Sequence, residues 1–218
     1  MESMLAYGDS NTWGLIPGSS PYQRYSYDIR WTGILERKLT NVRVLEEGLC
    51  GRTTVLEDRM RSGRNGNDTL PVILESQYPI DFAVLMLGTN DCKKVYSVSP
   101  EQIGRGIEQC LDTLERYIGK EDILLISPIL LGDHVWRSDK DPEFDRRSVA
   151  VCKGLKAIYE QIARKRGIHF MAASDYVTAD ERDDEHFNEE GHRIFAEAVY
   201  AKLQEMKVLS HDRKHGAG

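Results

Sequence analysis

The chain has no C-x-x-C pair; its four cysteines, Cys50, Cys92, Cys110 and Cys152, lie far apart. That spacing argues against a zinc knuckle or a disulfide framework and predicts reduced thiols, the state of a cytoplasmic protein. No run approaches the eighteen or so consecutive apolar residues of a membrane span. The first residues also lack the apolar core and small-residue cleavage site of a secretory signal, so a cytoplasmic location is expected. Basic residues form no stripe: the net charge is -6, and the longest basic-leaning run, Arg59 to Arg64, is broken by Ser62 and Gly63. Neither a nucleic-acid nor a membrane partner is expected from such a surface. No glycine-rich P-loop or G-x-G-x-x-G follows the first apolar segment, which counts against nucleotides. No H-x-H pair offers metal ligands, so no metal is expected.

What is present is a composition ordinary for a globular domain, with 40% hydrophobic and 29% charged residues in 218. We read one domain over residues 1–209, without repeat or linker, and a disordered polar tail over 210–218. Strand-like runs alternate with helical stripes. Leu5–Tyr7, Val42–Leu45, Ile80–Leu87, Ile123–Ile126 and Ile168–Met171 read as strands; the third is apolar throughout, as in a strand covered on both faces. Between them, helical spacing predicts a helix from Asp28, its N-cap, to Leu39, and another over Leu70–Tyr78 with Pro71 at an early position. Pro100 opens a third, striped by Ile103, Ile107, Cys110, Leu111, Leu114 and Ile118. Val151 to Ile162 marks a fourth, and a last one runs from Asn188, striped by Ile194, Phe195, Ala198, Val199 and Leu203. Such alternation predicts an α/β fold with a parallel sheet and right-handed crossovers.

Ligand sites of open parallel sheets lie beyond the carboxyl ends of the strands. Three polar blocks fall there: Gly8-Asp9-Ser10, Gly48 to Gly51, and Gly88-Thr89-Asn90-Asp91. A fourth, Asp183 to His186, precedes the last helix. Asp9 and Ser10 alone read as caps of a following turn at least as well as chemistry. Together the blocks supply what acyl transfer needs: Ser10 as nucleophile, His186 as base, Asp183 three residues away to orient it, and Asn90 with the Ser10 and Gly51 N–H groups as oxyanion donors. Gly8-x-Ser10-x-Thr12 does not complete the G-x-S-x-G elbow, which disfavours an ordinary α/β-hydrolase.

The four blocks, in this order, resemble those of the SGNH (GDSL-type) hydrolases over nearly the whole chain. The stretches 46–54 and 86–91, with Trp13-Gly14 and Arg30-Trp31-Thr32-Gly33, resemble the bacterial arylesterase/acyltransferase-like branch. That resemblance implies a three-layer α/β/α flavodoxin-like sandwich with a five-stranded parallel sheet. It also implies a Ser10–His186–Asp183 triad, an oxyanion hole from Ser10, Gly51 and Asn90, and no metal or organic cofactor. Asn11 stands where the family pattern has leucine and is expected to tune the turn. The implied function is a serine esterase of arylesterase or acetylesterase type acting on small acyl esters, with acyl transfer to alcohols as a variant. A carbohydrate acetyl esterase is the alternative, and a flavodoxin-like ligand-binding module the alternative of another class. Related enzymes associate through their loops, so a homo-oligomer is expected.

Among the remaining residues, Asp9 and Asp91 read as structural, tying loops together. Trp13 reads as packing beside the site, and His192 as a surface residue. His134 and Trp136 either line a pocket or decorate the long 130–145 loop.

Overall fold

The computed structural model describes residues 1–20 and 22–206. The expected domain limit at 209 and the tail over 210–218 lie outside the described residues. Five strands, β1 (Glu2–Gly8), β2 (Val42–Gly48), β3 (Phe82–Met86), β4 (Ile123–Ser127) and β5 (His169–Ala172), pair in parallel in the order β2-β1-β3-β4-β5. Among the described residues six α-helices connect or flank them: α1 (Ser10–Trp13), α2 (Trp31–Lys38), α3 (Gly66–Ser76), α4 (Pro100–Leu114), α5 (Arg146–Arg166) and α6 (Glu189–Glu205).

The period-2 alternation of strand side chains divides the core. Leu5, Tyr7 and Leu85 face α3, α4 and α5, whereas Met4, Ala6 and Val84 face Trp31 and Leu35 of α2 and Phe195 and Val199 of α6. Both faces are therefore covered, which is the three-layer sandwich. In α4 the expected stripe is buried from Ile103 to Leu114, each of those apolar side chains stabilising the fold by about 1.5–3 kcal/mol relative to exposure. A Ser99–Gln102 capping box with Pro100 at the first position starts that helix. Ile118 packs beyond its end, outside the helix.

Three helix expectations are corrected. The helix expected from Asp28 begins at Trp31, with Arg30 as an N-cap that makes no side-chain cap; Asp28 instead pairs with Arg37 at 2.7 Å. The helix expected at Leu70 begins four residues earlier at Gly66, capped by Asn65, which places Pro71 inside it. In α6 the buried stripe is Gly191, His192, Phe195, Ala196, Val199 and Leu203, with Ile194 and Ala198 only half-buried. His192 is 0% exposed, not on the surface. Its Nδ1 accepts the Trp31 N–H at 3.3 Å, and the rings of Tyr25 and Phe187 meet it edge-on. Burial, with Arg30 and His186 nearby, pushes its pKa down to about 3, so it packs as a neutral ring.

Candidate functional site

The carboxyl edge of the sheet is assembled by close backbone approaches. Gly8 ends β1, and a Cβ there would lie 2.1 Å from Thr12 Oγ1. The chain turns at once into α1, whose N-cap Asp9 accepts the Asn11 N–H at 3.1 Å. Gly48 ends β2 directly beneath α1, where a Cβ would sit 2.1 Å from the Trp13 nitrogen. Only glycine permits that contact, and it draws the second block against the first. The third block is tied to the second twice. Asn90 Nδ2 donates to the Arg52 carbonyl at 3.1 Å, and Asp91 accepts the Thr54 N–H at 3.0 Å and Thr54 Oγ1 at 2.5 Å.

The fourth block closes over this edge. His186 Nε2 lies 2.8 Å from Ser10 Oγ, and His186 Nδ1 lies 2.8 Å from Asp183 Oδ2. Ser10, Asp183 and His186 are all buried. Asp183 also accepts the N–H groups of Gly18, Glu185 and His186, each at 3.0 Å. Burial pushes its carboxyl up, but the His186 contact and these backbone donors outweigh it, and the pKa is lowered. Asp184 points elsewhere, pairing with Lys140 at 2.6 Å. Asn11 holds the loop from the other side: its Oδ1 accepts the Phe187 N–H at 2.9 Å and its Nδ2 donates to the Glu185 carbonyl at 3.3 Å. The side chain following Ser10 thus brackets the peptide units on both sides of His186.

An imidazole placed this way can take a hydroxyl proton, and Asp183 can hold the resulting cation. The N–H groups of Ser10 and Gly51 make no hydrogen bond among the described residues, which leaves both free to donate. Gly51 adopts φ +84, a left-handed conformation, and a Cβ there would meet the Arg61 guanidinium at 2.7 Å. One Asn90 Nδ2 hydrogen serves Arg52, and the second is available. Among the described residues no group of three or more His, Cys, Asp or Glu could hold a metal ion.

Asp91 ties two loops as expected, whereas Asp9 accepts the Asn11 N–H within its own turn, and burial raises the pKa of both, Asp91 to about 6. Trp13 packs under Arg24, whose guanidinium lies over its ring at 5.1 Å. His134 and Trp136 line an open cleft with Arg137, Arg146 and Lys153 on the outside of α5, and none of the contacts of the Ser10–His186–Asp183 cluster reaches them. Two residues of the site gave no sequence signal as participants, Glu185 and the clamping Asn11. Asn11 stood out only as a departure from a family pattern. Glu185 Oε1 lies 3.7 Å from His186 Nε2. Burial pushes its carboxyl up to about 7, with Asp141 and Asp183 adding to the rise and His186 and Lys93 opposing it.

The profile of the GDSL-like lipase/acylhydrolase family matches residues 6–194. Among solved structures, Est24, a carbohydrate acetylesterase from Sinorhizobium meliloti, is 31% identical and superposes with TM-score 0.84, over 94% of this chain and 100% of that one. The aryl esterase of M. smegmatis is 28% identical with TM-score 0.85 over the same shares. A putative arylesterase from Agrobacterium tumefaciens is 27% identical with TM-score 0.82, again over 94% and 100%. No curated protein matches the chain. No helix among the described residues is long and apolar enough to cross a membrane.

Proposed function

The chain belongs to the GDSL-like lipase/acylhydrolase family and is a carboxylic ester hydrolase, and from that premise we propose that it cleaves small acyl esters through an acyl-enzyme on Ser10. The observation that carries this reading is the unbroken relay Ser10 Oγ–His186 Nε2–Asp183, with 2.8 Å at each link. Ser10 Oγ attacks the ester carbonyl carbon as its proton passes to Nε2. The oxyanion takes hydrogen bonds from the N–H groups of Ser10 and Gly51 and from the Asn90 side chain. Collapse breaks the carbon–oxygen bond to the alcohol, which leaves with the proton from Nε2. Water, activated by the same imidazole, then releases the acid and restores Ser10. An alcohol in place of that water gives acyl transfer. Asp183, held by four donors and kept ionised, fixes the tautomer with hydrogen on Nδ1 throughout.

The test is hydrolysis of p-nitrophenyl acetate and butyrate beside Ser10→Ala. The substitution should cost about 10⁴-fold or more in kcat without changing the fold; a variant at the parent rate would sink the reading. A second reading, deacetylation of acetylated oligosaccharides, is favoured by the 31% identity to a carbohydrate acetylesterase. Comparing kcat/KM on acetylated xylo-oligosaccharides and on phenyl acetate separates the two.

A further inference from the structure

His186 has a neighbour on each ring nitrogen, and the proposed triad uses only one carboxylate. We propose that Glu185 is a positioning residue for the reaction, a second carboxylate that holds the charged imidazole from the Nε2 side. The inference rests on the reading of His186 as the base.

The geometry supports it in three ways. Glu185 Oε1 stands 3.7 Å from the same Nε2 that contacts Ser10, so it faces the nitrogen that receives and returns the proton. The Glu185 side chain is buried, so water screens this approach poorly. Its backbone is pinned at both ends, the N–H donating to Asp183 Oδ1 at 3.0 Å and the carbonyl accepting from Asn11 Nδ2 at 3.3 Å. The backbone that carries the carboxyl is therefore held by the same loop that presents His186.

The surrounding charges fix the sign. His186 faces Glu185, Asp183 and Asp9, with the buried His192 ring farther off. Glu185 in turn faces His186, Lys93, Asp141 and Asp183, with Tyr22, Cys50 and Cys152 around it. Burial pulls the imidazole down, but Glu185 first, then Asp183 and Asp9, bring it up to about 9. Once ionised, Glu185 stabilises the imidazolium of the proton-transfer steps and delays the free imidazole to higher pH. Lys93, itself bonded to Glu143 and seated against Phe144, favours the ionised form of Glu185.

The test follows ethyl acetate hydrolysis in a pH-stat, because ethanol does not titrate over the range. The acid limb of kcat/KM for Glu185→Gln should fall by about 1–3 pH units from the parent. Its high-pH plateau should drop in kcat with KM unchanged, since Glu185 acts on the proton carrier. Glu185→Asp, which keeps the charge on a shorter arm, should place the limb between the two. A Glu185→Gln limb coinciding with the parent overturns the proposal. In a Ser10→Ala background, where turnover is absent, the His186 ring titration followed by NMR should fall by the same amount on adding Glu185→Gln. An unmoved titration there also overturns it, whereas parental activity in Ser10→Ala overturns the reading of Ser10 instead.

Discussion

Asp183 and Asp91 are both buried carboxylates whose oxygens accept backbone N–H groups, and they have opposite acid–base character. Asp183 accepts from Gly18, Glu185 and His186 and faces the imidazole, and its pKa is lowered. Asp91 is fully buried, accepts the Thr54 N–H and hydroxyl, and is pushed up to about 6. Backbone donors are present in both, so they do not decide the outcome. What differs is a partner able to carry positive charge, and the depth of burial. Asp183, hydrogen-bonded to the His186 ring and to three backbone N–H groups, has a lowered pKa; Asp91, which clamps two loops without a cationic partner, has a raised one.

The hardest way to break this contrast is Asp183→Asn. The amide retains the shape but offers the ring the wrong tautomer, and kcat should fall about 10⁴-fold. KM should move little, while the melting temperature near pH 7 should fall, because the stability that the ionised Asp183 contributes there is lost. Retention of activity within tenfold would mean that Asp183 is as architectural as Asp91. One residue before Asp91, Asn90→Ala removes a donor proposed for the oxyanion and should cost about 10²–10³ in kcat. A loss confined to stability would put Asn90 with its neighbour among the clamps.

That contrast was partly legible in the sequence. The third block, Gly88 to Asp91, announced itself because an apolar strand ended abruptly in polar residues, and the i, i+3 reach from Asp183 to His186 is a local matter. Helical stripes were legible wherever the buried face was apolar, as in α4. The stripe of α6 was misplaced because it begins with Gly191 and His192, and histidine is a residue type that pattern reading assigns to solvent. Only the tertiary pocket of Trp31, Tyr25 and Phe187 makes it a core side chain. The start of α2 was missed for a similar reason. Asp28 is a good cap by type, but the helix is positioned by Arg30, whose guanidinium grips Glu46 at 2.8 and 2.9 Å across the sheet edge. Glu185 was invisible because its contact with Nε2 depends on a loop conformation, with Asp184 at φ +60, that no spacing rule supplies.

Asn11 gives a smaller test on the Asp183 side of the contrast. Asn11→Leu restores the residue that the family pattern has and removes two hydrogen bonds to the His186 loop. At about 1 kcal/mol each, their loss predicts a fall in kcat of about tenfold or somewhat more. An effect equal to that of Asp183→Asn would show that the loop is fastened by Asn11 alone; no effect would show that the four bonds to Asp183 suffice.

Asp91→Asn should change the rate least and the pH dependence of stability most distinctly. A carboxyl whose folded pKa lies above its unfolded value contributes fully below the unfolded value, near 4, and loses stability as pH rises through the folded value. For Asp91 that window runs from about 4 to about 6, and a rise of about two units corresponds to about 3 kcal/mol. Asp183 has the opposite sign: its contribution is present above the unfolded value and is lost as pH falls through its lowered pKa. Denaturant unfolding of Asp91→Asn at pH 4, 5, 6 and 7 should therefore show a smaller decline across this window than the parent, Glu185 and Asp9 supplying what remains, while loss on further acidification persists in both. The asparagine carbonyl still accepts from Thr54 without a charge to desolvate, so activity at pH 7 should stay within a few-fold. Parallel stability curves for the two proteins would mean that Asp91 ionises in the folded state as readily as an exposed carboxyl, and the two aspartates would then differ in partner but not in acid–base character.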